Sequence, residues 1–185
     1  RVYQRAIALV LAEVFAFGRH TVTQLLFSLG MNERDWSAWY RLLKERFDYD
    51  KASEVLFRET LTHVKADEVY VVGGDGTQTR RSSAKMEGVG WLRNMRTPPF
   101  RMGIHRAQRW FNGSWLMPAE KGYSRAMPLR WLPAFTEKAR RQAEKAQKEW
   151  EAALAFVTWL VEQLQRAGRP NQPVLLVADG SYDVV

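Results

Sequence analysis

Two short apolar runs, far apart in the chain, are each followed closely by an Asp-Gly pair. Val69–Val72 leads through a pair of glycines to Asp75, and Val174–Ala178 leads directly to Asp179. Runs of β-branched and aliphatic residues that end in turn-forming residues predict buried strands. We therefore expect two strands, each with an aspartate at its carboxyl end.

A long helix is predicted between these two runs. Alanine and aliphatic residues recur at helical spacing from Thr136 to Ala167, with Thr136 as a candidate N-cap and Gly168 as a C-terminal glycine. A right-handed crossover through this helix would make the two strands parallel neighbours. Asp75 and Asp179 would then lie side by side.

The segment between the first strand and the helix is rich in aromatic and apolar residues. Arg101–Met117 and Tyr123–Pro133 are predicted to form strands, with Asn112-Gly113 as a type I′ hairpin turn. The resulting order of three strands, a helix and a strand is that of a ribonuclease-H-like domain.

The first third of the chain has helical rather than strand periodicity. Thr21 or Thr23 can cap one helix, Gly30 can end it, and Asn32 or Asp35 can begin the next, a pattern that resembles a helix-turn-helix. We predict an α/β protein with an N-terminal helical bundle (residues 1–66, a candidate DNA-binding region) and a partial ribonuclease-H-like mixed sheet with a long crossover helix (residues 67–185). Such helix pairs also occur as packing units alone.

Charge favours a polyanionic partner. Lys and Arg total 28 against 20 Asp and Glu, which gives a net charge of +8. Between Gly76 and Leu132, eleven basic residues face two acidic ones, so the excess lies beside the predicted acidic pair. The candidate DNA contacts are Arg80, Arg81, Lys85, Arg93, Arg106 and Arg109. The alternative is that they are exposed cations, and that the interleaved aromatics belong to the core of the sheet.

Metal chemistry, if present, has to use carboxylates. The chain has no cysteine and 3 histidines, so a thiolate or histidine cage is not expected. Adjacent carboxylates repel each other unless a cation neutralises them, which makes Asp75 and Asp179 a candidate Mg²⁺ or Mn²⁺ site for phosphoryl transfer. Taken separately, each Asp-Gly pair is also an ordinary turn sequence.

These blocks resemble a known family. Val71–Arg81 with Lys85–Val89, and Val174–Asp183, are similar to the first and second catalytic blocks of bacterial insertion-sequence transposases of the DDE superfamily. The resemblance implies a nuclease and strand transferase in which Asp75 and Asp179 are the catalytic, metal-binding carboxylates, with Mg²⁺ or Mn²⁺ as cofactor. The family's third carboxylate, a Glu on a later helix, has no counterpart before Val185. We therefore expect a fragment that is inactive alone.

The resemblance also implies partners and a location. Transposon ends and target DNA are the expected partners, a homodimer is the candidate assembly, no membrane association is expected, and the location would be the prokaryotic cytoplasm, with the nucleoid. Two alternatives stay open. One is a DNA-binding module without chemistry. The other is a nucleotide-dependent kinase, because Gly73–Thr77 also resembles the phosphate-binding loop of NAD and diacylglycerol kinases, which opens a helix.

Overall fold

The chain consists of two compact units. The structure is a computed structural model that describes residues 2–18, 20–31, 35–44, 47–81, 83, 85–94, 97–98, 100–101, 103–118, 122–136 and 147–179. The first unit is Arg1–Asp48 and the second is Tyr49–Val185. Among the described residues, no helix combines the length and the apolar character that crossing a membrane requires.

The first unit is helical, as the periodicity predicted. Its helices are α1 (Val2–Phe15), α2 (Val22–Ser28) and α3 (Ser37–Lys44). A small core of Ala12, Ala16 and Leu25 packs α1 against α2.

The predicted signals between α2 and α3 are confirmed. The Thr21 hydroxyl accepts a hydrogen bond from the backbone N–H of Gln24, as an N-cap does. Gly30 has φ +65°, a conformation that a residue with a Cβ adopts only with strain, and it ends α2. Asp35 accepts hydrogen bonds from the backbone N–H and the hydroxyl of Ser37, and these bonds lower the pKa of its carboxyl group. Residues 32–34 lie outside the described part.

The second unit is a mixed sheet with helices. In chain order its elements are α4 (Tyr49–Leu61), β1 (Tyr70–Arg80), β2 (Gly90–Arg93), β3 (Ile104–Leu116), β4 (Ala126–Pro133), α5 (Glu149–Arg166) and β5 (Val174–Ala178). The sheet order is β2-β3-β1-β5, and β4 also pairs with β3. β1 is antiparallel to β3 and parallel to β5, so the crossover through α5 joins parallel strands as expected.

The core of this unit lies between α4, α5 and one face of the sheet. Tyr70 and Val72 of β1, Phe111 and Trp115 of β3 and Phe156 of α5 belong to it. Phe57, Leu61 and Val64, in and just after α4, belong to the same core, so the compact units divide before α4. The sequence-based boundary after residue 66 differs from this division.

The predicted hairpin turn at Asn112-Gly113 is wrong. β3 runs without interruption through both residues, which pair with Asp75 and Gly74 of β1 on one side and with Trp131 and Arg130 of β4 on the other. The glycine serves packing instead, because a Cβ at Gly113 would overlap the ring of Phe156. A register shift follows at Gly113/Ser114, where β4 has an irregularity.

The crossover helix is shorter than predicted. α5 begins at Glu149, with extended Lys148 as its N-cap and the Glu151 side chain bonded back to the backbone of Lys148, so Thr136 does not cap it. Its predicted end is confirmed, because Gly168 adopts φ +72° just after the last turn. Residues 137–146, which the long-helix prediction included, lie outside the described part.

Two further predictions about the strands need correction. The first strand does not end at the glycines but continues to Arg80, paired with β3 from Val72 to Arg80. β5 was expected to be buried, yet all its residues are exposed in this chain because it lies at the edge of the sheet. The mixed α/β architecture after N-terminal helices agrees with the predicted partial ribonuclease-H-like fold.

Candidate metal and DNA-binding site

The two aspartates singled out by the sequence occupy equivalent places on neighbouring parallel strands. The last paired residues of β1 and β5 are Gly74 and Ala178, and Asp75 and Asp179 follow them directly. If this register continued by one residue, their Cα atoms would lie about 5 Å apart, with both side chains on the same face of the sheet. Both residues are exposed. Asp75 lies within β1, whereas Asp179 follows the end of β5.

A polar neighbour completes this face. Asn112 of β3 is directly opposite Asp75, and its side-chain oxygen accepts a hydrogen bond of 3.4 Å from the Ser114 hydroxyl. Sequence reasoning missed Asn112 because Asn-Gly is a strong turn signal. The alternation of side chains between the two faces of β1 and β3 was the signal that could have shown that Asn112 lies opposite Asp75.

The donors present fit a hard cation. Adjacent carboxylate oxygens beside an amide oxygen are the kind of ligands that Mg²⁺ and Mn²⁺ prefer. Within the described ranges, no group of three or more His, Cys, Asp or Glu side chains gathers in one place. The carboxylates that follow the last paired residues of β1 and β5 are those of Asp75 and Asp179.

On the opposite face of β1, glycines let other groups approach closely. A Cβ on Gly74 would lie 2.7 Å from the Phe111 ring, and one on Gly76 would overlap the carboxylate of Glu149 at the start of α5. Glu149 is in turn bonded to Arg109, whose Nε lies 2.5 Å from its carboxylate oxygen. The glycines around Asp75 thus allow α5 and β3 to pack against β1, rather than forming a turn or a phosphate-binding loop.

The predicted DNA contacts differ in their exposure and in the contacts that their side chains make. Arg80, Lys85 and Arg93 are exposed. Arg109 pairs with Glu149, and Arg81 donates to the side-chain oxygen of Gln108. The remaining predicted contact, Arg106, has its guanidinium 4.9 Å from the centre of the exposed Trp91 ring.

The aromatics of the basic region divide in a similar way. Trp115 and Phe111 are buried in the core, and Trp110 packs edge to face against Phe135. Trp91 and Trp131 are 66% and 49% exposed, so they present ring surface to solvent. The interpretation as sheet core therefore applies to Trp115 and Phe111, and Trp91 and Trp131 have the exposure that base stacking requires.

The comparison with known protein families gives a match over nearly the whole chain. A family model described as DDE superfamily endonuclease matches residues 2–184. No curated protein and no solved structure matches the chain.

Proposed function

Because this chain belongs to the DDE superfamily of endonucleases, we propose that it is part of a transposase that cuts DNA and transfers the cut strand. Asp75 and Asp179 are the catalytic residues in this proposal, and they hold Mg²⁺ or Mn²⁺ at the edge shared by β1 and β5. The observation that supports the proposal is the parallel register of these strands, whose last pair, Gly74 and Ala178, directly precedes the two aspartates.

The chemistry divides between the cation and the protein. A bound divalent cation would supply Lewis-acid stabilisation of a phosphodiester and would favour an ionised nucleophile. Asp75, within the paired strand β1, and Asp179, just after β5, would hold the cation, and the Asn112 amide lies opposite Asp75, where it could bind an oxygen or a water. The carboxylates also require a cation for electrostatic reasons, because two negative charges this close repel each other.

DNA is the substrate in this proposal, and exposed cations hold its backbone. Arg80, Lys85 and Arg93 are exposed to solvent, and Arg106 with Trp91 offers a combined cationic and aromatic surface. Arg81 and Arg109, whose side chains engage Gln108 and Glu149, contribute to the positive potential. Such binding weakens steeply as salt concentration rises.

A second candidate function is DNA binding without chemistry. The observation that favours it is the α2–α3 pair, in which α3 exposes Tyr40, Arg41 and Lys44 and the turn carries the glycine typical of helix-turn-helix motifs. The two functions are compatible in one protein. They differ in the role of Asp75 and Asp179, since in a binding module these two residues would have only a local structural role and no part in chemistry.

The test is metal-dependent nicking of terminal-repeat DNA by the intact protein. Asp75→Ala should abolish nicking and transposition while DNA affinity is retained, and Asp67→Ala, an exposed acid in the turn before β1, is the matched control. Unchanged activity in Asp75→Ala would favour the binding module. Nicking by the 185-residue chain alone would contradict the expectation that this piece is inactive.

Three further features belong to the proposal. They are a homodimeric assembly, transposon ends and target as the DNA bound, and a prokaryotic cytoplasmic location with the nucleoid. The positive charge of the region around β1 and β3 supports the choice of DNA.

A further inference from the structure

β5 lies in a defined register beside β1 although none of its side chains is buried. All five of its residues are exposed, and among the described residues the strand pairs with β1 alone. Register is strongly specified where one face of a strand is buried, and weakly specified where neither face is. The sequence of β5, Val-Leu-Leu-Val-Ala, also has no alternation that would favour one alignment over the next. Contacts outside the strand are therefore needed to fix its register.

This register matters for the candidate metal site. Asp75 and Asp179 directly follow the last pair of the ladder, Gly74 and Ala178. A slip of β5 by one residue, about 3.3 Å, would turn the Asp179 side chain to the face of the sheet opposite that of Asp75. The two carboxylates would then be too far apart to bind the same cation.

The loop between α5 and β5 is bonded to the turn that leads into β1. Gln172 in this loop is buried, and both hydrogens of its side-chain amide are used. Its Nε2 donates to the carbonyl oxygen of Lys65 at 2.9 Å and to that of Glu68. The backbone N–H of Tyr70, the first residue of β1, donates to the carbonyl oxygen of Pro173 at 2.8 Å. Gln172 therefore holds the turn before β1 only two residues ahead of β5.

Arg169 makes a second connection from the same loop. Its Nη1 donates to the carbonyl oxygen of Val64 at 2.6 Å and to the side-chain oxygen of Gln172 at 3.3 Å. Its Nη2 donates to the carbonyl oxygen of Leu61 at 3.2 Å. Leu61 ends α4, and the last carbonyls of a helix have no partner within it, so the guanidinium also caps α4. Arg169 and Gln172, which we call the loop clamp, thus bond the α5–β5 loop to residues 61–68.

We propose that the loop clamp sets the register of β5 against β1 and so positions Asp179 beside Asp75. The inference rests on the proposed function, because it takes these two aspartates as the ligands of the cation. Arg169 and Gln172 are positioning residues, since they bond to the protein and precede β5, whereas Asp179 follows it. The sequence gives no signal for this role, because the backbone acceptors lie 104 to 108 residues away in the chain.

Engineered disulfides can report the register directly, because the chain has no cysteine of its own. Val71 pairs with Leu175, so Val71→Cys with Leu175→Cys reports the register described here. Paired residues on neighbouring strands lie about 4.8 Å apart, within the Cα separation that a disulfide bridges. Val71→Cys combined with Val174→Cys or with Leu176→Cys reports a slip in either direction, since these side chains lie on opposite faces unless β5 slips. The rates of disulfide formation are measured with a mild oxidant in EDTA.

Gln172→Ala should lower the rate of the in-register pair relative to the slipped pairs about tenfold, as expected for the loss of hydrogen bonds of ordinary strength. Arg169→Lys should give an intermediate ratio, because one ammonium group cannot replace a guanidinium that bonds to three acceptors. Gln165→Ala, at an exposed glutamine in the last turn of α5, is the matched control and should leave the ratio unchanged. Leu160→Ala, a core variant, should lower stability without favouring a slipped pair.

Metal binding provides a second measurement, in the chain without added cysteines. Gln172→Ala should weaken the apparent Mn²⁺ affinity about tenfold, as changes to the groups that orient metal ligands do. The affinity is followed by the broadening of backbone amide signals at residues 74–76. Gln165→Ala should leave this affinity unchanged.

Two results would overturn the inference. They are an unchanged disulfide ratio in Gln172→Ala, and a Mn²⁺ affinity equal to that of wild type in the same variant. If Gln172→Ala does not fold, the ratio in Arg169→Lys decides in the same way. The disulfide measurement needs neither metal nor DNA, so it is independent of cleavage. A slipped register together with full nicking by Asp75→Ala would refute the catalytic proposal, whereas loss of nicking in Asp75→Ala with an unchanged ratio in Gln172→Ala would refute only the role of the clamp.

Discussion

Alternate residues of β1 have different surroundings. Tyr70, Val72 and Gly74 are buried on the face that packs against α4, α5 and Phe111, whereas Asp75 is exposed on the other face. Core packing is strongest on the first face, and the candidate chemistry lies on the second. Residues that stabilise the fold and residues proposed for catalysis can therefore lie on one strand, because successive side chains point to opposite faces. Variants on the two faces should therefore affect different measurements.

The largest effect is expected from the exposed face. Asp75→Asn and Asp179→Asn should each reduce metal-dependent cleavage by the intact protein more than about 100-fold, since even outer partners of metal ligands contribute 10–100-fold. Unfolding free energy should change by no more than about 0.5 kcal/mol, because both residues are exposed. Chemical denaturation and a nicking assay measure the two quantities. A large loss of unfolding free energy with preserved cleavage would show that these two residues stabilise the fold and are not catalytic.

The buried face should give the opposite pattern. Phe156 is fully buried against Phe111 and Gly113, so Phe156→Ala should lower the unfolding free energy by about 3 to 5 kcal/mol. Denaturant titration of the 185-residue chain checks this value. The exposed Leu154 on the same helix is the control, and Leu154→Ala should cost far less. Equal losses at the two positions would contradict the core described for α5.

Tyr70 makes the buried face sensitive to alkali. Burial raises the pKa of Tyr70 from 10.0 to about 12, opposed by a hydrogen bond with Thr60. Tyrosine in the unfolded chain ionises first, so stability is intact below pH 10 and is lost as pH rises from 10 to about 12. The loss should approach about 2 to 3 kcal/mol. Unfolding measured across this range should show less alkaline loss in Tyr70→Phe, and an identical pH profile would contradict the assignment.

A smaller effect tests why the glycines are present. Gly113→Ala should cost about 1 to 3 kcal/mol, because the added methyl overlaps Phe156. Combining it with Phe156→Leu, which provides space, should cost less than the sum of the two separate changes. Denaturation of the two single variants and the double variant measures the coupling. Strict additivity would show that the two residues do not compete for the same space.

The smallest effect concerns the helical unit. The hydrogen bonds from Ser37 lower the pKa of Asp35 below 3.8, so the stability contributed by this contact is present above that value and is lost as pH falls below it. Asp35→Asn should therefore flatten the acid end of the helical melting profile, followed by circular dichroism. Asp67→Asn, in the second unit, is the control for loss of one carboxylate. Profiles that remain identical in wild type and Asp35→Asn would contradict this role of Asp35.

Local sequence signals predicted strands and helix caps well where the backbone conformation depends on the residue itself and its immediate neighbours. Thr21, Gly30 and Gly168 adopt the predicted conformations, and Val174–Ala178 forms the predicted strand. The same reasoning wrongly predicted turns at Gly74, Gly76 and Gly113. These glycines are needed because a Cβ there would overlap Phe111, Glu149 and Phe156, respectively. Turn propensity cannot distinguish a glycine that bends the chain from one that admits a neighbouring side chain.

The candidate site was only partly accessible from sequence. Asp75 and Asp179 could be paired because strand-helix-strand connections constrain topology. Asn112 was missed because its position opposite Asp75 depends on the register between β1 and β3. Arg109 is predicted as a DNA contact from the basic run in which it lies, and its ion pair with Glu149 could not be foreseen because Glu149 is distant in sequence.

The central claim is that Asp75 and Asp179 together hold a divalent cation, and Mn²⁺ can report its location directly. In backbone amide spectra of the 185-residue chain, paramagnetic broadening by Mn²⁺ at low concentration should appear first around residues 74–76 and 177–179. Asp75→Asn and Asp179→Asn should each remove that broadening. Broadening centred on other acidic side chains, such as Asp50 and Glu54 of α4, with residues 74–76 and 177–179 unaffected, would contradict the account.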